Sequence, residues 1–315
     1  MADVNTWPLP GPQPADYPFR SRWFHHGRYR QHYLDEGDGP PVLMLHGNPS
    51  WSYGWRRLVS GLCVGYRCIV PDHVGMGLSE RPGEDVYRYT LPSRVDDLAA
   101  LVTHLVERGG APAGGWTLAM HDWGGPVGMA LAARMPRLAS RLVVLNTAAF
   151  LGPYARRLPA TLGAALWGFR NLRLVEHLVL RHNAFARAAA RFGAVRRIPP
   201  AVRAGYLAPY REPGSRLGIL RFVQDIPRRG SDPAMAELRA AERAVAAHGD
   251  RPVFVGWGMR DPVLRPALLD EWRRRFPHAV VRAYRDAGHY VLEDAGDALV
   301  AEIRAFLSGH AAEAR

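Results

Sequence analysis

Short, continuous apolar runs alternate with helical patterns along most of this chain, and that alternation constrains its fold more than any other feature. The runs fall at 41–45, 67–71, 117–120, 142–145 and 252–255, with a weaker one at 279–284. Runs of four or five apolar residues without polar alternation mark strands buried on both faces. Helical patterns fall around 55–62, 93–108, 126–135, 265–276 and 296–307. Strand and helix alternating at this pitch predict an α/β fold, with a mostly parallel central sheet covered by helices. Residues 28–36 alternate as an edge strand would and end at Gly37.

The alternation stops between about residue 148 and residue 227. That stretch holds no buried-strand run and reads as helices punctuated by Pro159, Pro199, Pro200, Pro209 and Pro213. The expected organisation is a core from 1–147 and 229–315, with an inserted helical cap over 148–228. A length of 315 residues suits one large domain carrying such an insertion.

Residues 116–125 read Trp-Thr-Leu-Ala-Met-His-Asp-Trp-Gly-Gly, an apolar strand entering a small-residue turn, with a helix opening at Pro126. This is the strand–turn–helix context of a nucleophile elbow, and Asp122 occupies its exposed centre. A carboxylate there is already ionised at neutral pH and needs no base to activate it. It can displace a leaving group from saturated carbon to form an alkyl ester, whereas ordinary ester cleavage calls for serine. Met120 replaces the usual first glycine of the elbow.

Three further segments follow strands: His46-Gly47-Asn48-Pro49 and Trp257-Gly258-Met259-Arg260-Asp261-Pro262 after buried ones, and Asp286-Ala287-Gly288-His289-Tyr290 after the last. A lone histidine after a strand is commonly a satisfied surface or core residue, and Asp261 before Pro262 also fits a helix cap. The conjunction argues otherwise. All four segments would meet outside the carboxyl ends of the strands, where open α/β sheets bind ligands. Their order, nucleophile then acid then histidine, is that of the α/β-hydrolase fold.

Three segments, His46-Gly47-Asn48-Pro49-Ser50-Trp51, Pro71-Asp72-His73-Val74-Gly75-Met76-Gly77-Leu78-Ser79 and His121-Asp122-Trp123-Gly124-Gly125, resemble haloalkane dehalogenases. The cap segments Asn183-Ala184-Phe185-Ala186-Arg187 and Leu220-Arg221-Phe222-Val223-Gln224-Asp225-Ile226-Pro227 resemble a narrower branch, the β-lactone decarboxylases of bacterial long-chain olefin synthesis. The resemblance runs from about residue 23 to residue 307. It implies Asp122 as nucleophile, His289 as base and Asp261 as the carboxylate that orients His289. It also implies Asn48 and the indole N–H of Trp123 as holders of the departing anion, with the backbone N–H groups of the same two residues as an oxyanion hole. Some dehalogenases carry a third-acid Glu after the preceding strand, but that region here reads Leu145-Asn146-Thr147. No cofactor and no metal is implied.

The first expected activity is decarboxylation of cis-3-alkyl-4-alkyloxetan-2-ones to cis-olefins. The alternatives are hydrolysis of haloalkanes, hydrolysis of epoxides with Tyr206 and Tyr210 as proton donors, and a non-catalytic receptor or scaffold on the same fold. Fluoroacetate dehalogenases share the scheme but carry Arg where Trp123 stands.

All 41 basic residues are Arg, and the net charge is +12. Codon bias explains the choice of Arg, but the excess is localised. Fourteen Arg against Glu176, Glu212 and Asp225 give residues 148–228 a charge of 14 − 3 = +11. A solvated helical exterior is the plainer interpretation; a peripheral membrane or an acidic partner protein is the functional one. No nucleic-acid motif is present. Residues 1–14 are polar and proline-rich, with no secretory pattern, and no apolar run approaches a membrane span. Cys63 and Cys68 have no metal-ligand spacing and read as free thiols. A cytoplasmic enzyme acting on a small hydrophobic substrate is therefore expected; the Arg-rich cap leaves open a place peripheral to the inner membrane or an acidic partner, and the resemblance leaves open an olefin-synthesis assembly.

Overall fold

The computed structural model describes residues 9, 12–151, 160–227 and 230–310. Eight strands form one sheet: β1 (Arg22–His25), β2 (Arg30–Glu36), β3 (Pro41–Leu45), β4 (Arg67–Pro71), β5 (Trp116–His121), β6 (Ala139–Leu145), β7 (Val253–Gly258) and β8 (Val280–Tyr284). Their order is β1-β2-β4-β3-β5-β6-β7-β8. β1 and β2 pair antiparallel, as do β2 and β4, and every other pairing is parallel. β3, β5 and β7 are buried at every position, which is why they appear in the sequence as unbroken apolar runs.

The expected edge strand is not an edge. β2 lies between β1 and β4, and Gln31, His32, Tyr33 and Leu34 are all buried. Gln31 donates to the Asp72 carbonyl at 3.2 Å, and His32 Nδ1 bonds the Asp72 carboxylate at 2.9 Å. The polar positions that mimicked an outward face are thus satisfied inside, and the four-residue β1 covers the flank that alternation left open.

Helices α1 (Arg56–Leu62), α2 (Leu91–Glu107) and α3 (Gly124–Arg134) belong to the first half of the core. Among the described residues, five helices build the cap after β6: α4 (Ala160–Asn171), α5 (Arg173–His182), α6 (Ala184–Phe192), α7 (Pro200–Leu207) and α8 (Leu217–Gln224). Parts of the expected cap, 152–159 and 228, lie outside the described residues, as does most of the proline-rich start. The chain returns through α9 (Pro233–Ala247), α10 (Pro266–Arg275), α11 (Val291–Asp294) and α12 (Gly296–Gly309). α9 had no counterpart in the sequence patterns. Its buried face is Ala234, Ala241, Ala244 and Val245, small residues that let it pack against α3 without an apolar stripe.

The sheet separates two cores. On one face, α1 and α12 contribute Leu58, Leu62, Leu299, Ile303 and Phe306. On the other, α2, α3, α9 and α10 contribute Leu101, Val127, Met129, Val245 and Trp272. Cys63 and Cys68 are free. No helix among the described residues is long and apolar enough to cross a membrane.

Candidate active site

β5 ends at His121, and α3 begins at Gly124, so Asp122 and Trp123 alone make the turn. The helix opens two residues before the expected Pro126, which falls in its first turn, where a missing N–H removes no helical bond. Asp122 adopts φ = 51°, a left-handed conformation that few side chains other than glycine tolerate. Its surroundings impose it. The Asp122 N–H donates to the Asn146 carbonyl at 3.1 Å, and the Thr147 hydroxyl donates to the Asp122 carbonyl. Glycines make room: a Cβ at Gly124 would overlap the Leu45 carbonyl, and one at Gly47 would overlap the Asp122 carboxylate itself.

The space normally given by the elbow's first glycine comes from the opposite side. Met120 is fully buried, and Gly128 of α3 faces it; a Cβ at Gly128 would lie 2.8 Å from Met120 Sδ and 2.9 Å from Leu45 Cδ1.

Asp122, His289 and Asp261 converge. Asp122 Oδ2 accepts the Asn48 backbone N–H at 2.8 Å, which leaves Oδ1 3.9 Å from His289 Nε2. His289 Nδ1 bonds Asp261 Oδ2 at 2.8 Å, which fixes the ring with Nε2 toward the nucleophile. Asp261 Oδ1 accepts the N–H groups of Val263 and Leu264 at 2.8 and 2.9 Å. Burial pushes the Asp261 carboxyl up, but the His289 ring and these donors outweigh it and hold it below the usual carboxylate range. For His289, burial pulls the ring down, yet the Asp261 carboxylate, reinforced by Asp122, raises it to about 9.

Asn48 and Trp123 are both at the site, in unequal states. One Nδ2 hydrogen of Asn48 goes to the Ile219 carbonyl of α8 at 3.0 Å, and its buried Oδ1 has no hydrogen-bond partner among the described residues. Trp123 packs against Phe222 of α8, with ring centres 5.3 Å apart. Both expected anion holders therefore touch the same cap helix. Tyr206 and Tyr210 do not act as free proton donors. The Tyr206 hydroxyl donates to Glu293 at 2.7 Å; that of Tyr210 accepts the Gly77 N–H at 3.1 Å and donates to the Ser50 carbonyl at 3.3 Å.

Sequence reasoning missed three neighbours. Asn146 has φ = 34°, and its Nδ2 donates to Asp261 Oδ2 at 2.9 Å while its Oδ1 accepts the Gly258 N–H at 2.7 Å. It links the elbow to the acid, and its signal was an Asn directly after a buried strand, a residue type that, glycine aside, is among those that most readily adopt a left-handed backbone. His121 Nε2 donates to the His289 carbonyl at 2.8 Å, and burial, followed by the His289 ring, holds its pKa near 4. Arg94 of α2 is fully buried, its guanidinium 3.5 Å from the centre of the Phe222 ring, with no hydrogen-bond partner among the described residues. Nothing local in the sequence distinguishes it from the other Arg.

Residues 40–296 match the model of the α/β-hydrolase fold family. The chain belongs to that family. It is 47% identical to a cis-3-alkyl-4-alkyloxetan-2-one decarboxylase of Xanthomonas campestris pv. campestris, over 87% of this chain and 91% of the relative. A protein of the same description from Shewanella oneidensis is 41% identical over 92% of this chain and 89% of its own length. The crystal structure of a haloalkane dehalogenase from Bradyrhizobium elkani superposes with a TM-score of 0.82 at 27% identity, covering 93% of this chain and 99% of that one.

Proposed function

We propose that this α/β-hydrolase is an enzyme that converts cis-3-alkyl-4-alkyloxetan-2-ones to cis-olefins and CO2. The 47% identity to a decarboxylase of that description carries the choice of substrate. The geometry around Asp122 supports the mechanism. Asp122 Oδ1 attacks the ring carbon bearing the ring oxygen, that C–O bond breaks, and the lactone carbonyl leaves as a carboxylate still attached to the chain. The bond between the carboxylate and the neighbouring carbon then supplies the electron pair of the olefin. CO2 departs, and Asp122 is expelled with the electrons of its ester bond.

No water enters this sequence, so His289 need not act as a base. With a pKa raised to about 9 it is an imidazolium at neutral pH, 3.9 Å from Asp122 Oδ1. There it stabilises both the released carboxylate and the departing Asp122. Trp123 and the second N–H of Asn48 would hold the released carboxylate. The free thiols of Cys63 and Cys68 fit a reducing, cytoplasmic setting.

Haloalkane hydrolysis is the second reading, favoured by one observation: the Asp261–His289 pair is what directing water onto an alkyl ester requires. The test offers a long-chain cis-β-lactone and a bromoalkane side by side, measuring olefin and halide. Olefin from the lactone is expected; halide release with no olefin would transfer the assignment to dehalogenation.

A further inference from the structure

Six of the eight large hydrophobic side chains that stand exposed among the described residues lie in one stretch of the cap: Trp167, Leu172, Leu174, Leu178, Phe192 and Val195. Phe192 is 70% and Leu174 67% exposed. They are organised. On α5, Leu174, Leu178 and Arg181 follow helical spacing along the outer face, opposite the buried Val179. On α6, Arg187 and Arg191 line the outer face beside Phe192, with the Arg191 guanidinium 5.1 Å from that ring's centre. Neighbouring pairs of α4, α5 and α6 pack on one another, so these faces form the outside of one layer.

The charge on this layer is unbalanced. Residues 160–198 hold seven Arg and one acid, Glu176, a charge of 7 − 1 = +6. Arg170 bonds the Gln224 carbonyl at 3.0 Å through Nε, inside the cap. The other six, Arg173, Arg181, Arg187, Arg191, Arg196 and Arg197, are exposed, and no ion pair holds any of them among the described residues. Codon bias would scatter Arg without regard to this. Several arginines elsewhere do meet carboxylates: Arg67 with Asp35, Arg134 with Glu237, Arg221 with Glu84 and Arg275 with Glu242.

We infer that the outer face of α4–α6 docks on an anionic lipid bilayer, lying on its surface. Exposed Trp, Phe and Leu interleaved with unpaired Arg match a headgroup region with acyl chains beneath, in both charge and polarity. An acidic protein surface would complement the arginines but not an indole and five aliphatic or aromatic side chains left in water. The patch also adjoins the chemistry. The Gly193 carbonyl, next to Phe192, accepts the Tyr290 N–H at 2.8 Å, and the N–H groups of Val195 and Arg196 bond Asp294 at 2.8 and 2.9 Å. The use of such docking rests on the proposed reading, because a substrate with two long alkyl chains partitions into a bilayer. The docking itself does not.

The experiment is sedimentation of the full chain with phosphatidylcholine vesicles, with and without phosphatidylglycerol, at low and high salt and without substrate. Binding to the phosphatidylglycerol vesicles at low salt, lost at high salt, is expected. Each Arg near such a surface contributes about fivefold in affinity, so Arg181→Gln/Arg187→Gln/Arg191→Gln should bind roughly a hundredfold more weakly. Leu174→Ser/Phe192→Ser should also weaken binding without lowering the melting temperature, since both side chains are already in water. Both variants should turn over a short, water-soluble lactone like wild type, and that assay reports on the decarboxylase reading separately. Negligible sedimentation with both vesicle types at low salt overturns the inference. So does tight, salt-sensitive binding of soluble polyglutamate without vesicle binding, which would assign the face to an acidic protein.

Discussion

Asp122 is held in a strained backbone conformation by hydrogen bonds from both sides, and its side chain does one thing that its isostere cannot. Asp122→Asn keeps the shape of the turn but replaces a carboxylate by an amide too weak to displace a leaving group from saturated carbon. Turnover should fall by roughly a million-fold, with the circular dichroism spectrum unchanged. Activity close to wild type, with deamidation excluded by mass spectrometry, would remove Asp122 from the mechanism. His289 separates the two chemistries through pH. Its ring is charged below about 9, because Asp261 outweighs the effect of burial. A hydrolytic step that needs the neutral ring therefore accelerates as pH rises toward 9, whereas olefin formation without a base stays level across neutrality. In Asp261→Asn the main raising influence is gone and only that of Asp122 remains, so any rising limb for bromoalkane hydrolysis should move to lower pH. The same shift acts on stability. A histidine raised from 6.5 to about 9 stabilises the fold fully below 6.5 and loses that contribution as pH rises through 9. The melting-temperature advantage of wild type over Asp261→Asn should shrink across that window. If the enzyme hydrolyses haloalkanes, His289→Ala exposed to bromoalkane should accumulate an alkyl adduct on Asp122 that mass spectrometry detects; the decarboxylase reading requires no such trap.

At the scale of elements, the elbow shows how one contact can be supplied from either partner. The departure at Met120 looked like a weakness of the motif, but the missing space is provided by Gly128 on α3. Gly128→Ala places a methyl against the fully buried Met120 and Leu45 and should cost about 1–3 kcal/mol. Met120→Ala in the same background should restore part of that loss, and a double-mutant cycle on thermal unfolding measures the coupling. Additive losses would mean that the strand–helix contact is looser than it looks. The cap helix α8 is tied to the core in a comparable way. Asp225 Oδ2 accepts the Leu91 N–H at 2.5 Å, while Phe222 lies between Arg94 and Trp123. Sequence patterns located α8 only as part of a helical cap. They could not show that it touches both Asn48 and Trp123, because those contacts join residues about 100 to 170 positions apart.

Across the whole molecule, one buried cation joins four segments. Arg56, 2% exposed, bonds Glu293 through Nη1 at 2.5 Å and Nη2 at 3.0 Å, and Asp16 through Nε at 2.6 Å. Tyr53 donates to Asp16 at 2.9 Å, and Tyr206 of α7 donates to Glu293. The start of the chain, α1, the cap and α11 beside His289 thus share one network. Glu293→Ala leaves a buried guanidinium without its bidentate partner and should cost about 3–5 kcal/mol, read as a lower denaturant midpoint at unchanged slope. A loss below about 1 kcal/mol would class the pair with surface salt bridges.

The mostly parallel sheet, the positions of its buried strands and the convergence of Asp122, Asp261 and His289 were legible in the sequence because each depends on local pattern. A strand buried on both faces must be apolar throughout, and residues at its carboxyl end must emerge at the same edge of the sheet. What depends on distant partners was not legible. The polar residues of β2 are internal because Asp72 receives them, α9 packs through alanines that show no stripe, and Asn146 matters only because β7 delivers Asp261 beside it. The arginines were countable from the sequence, yet only the tertiary structure separated those that meet a carboxylate from those that meet none among the described residues, the six on α5, α6 and the loop after α6 included. That distinction arises because an ion pair is a matter of distance in space, which folding sets and composition does not.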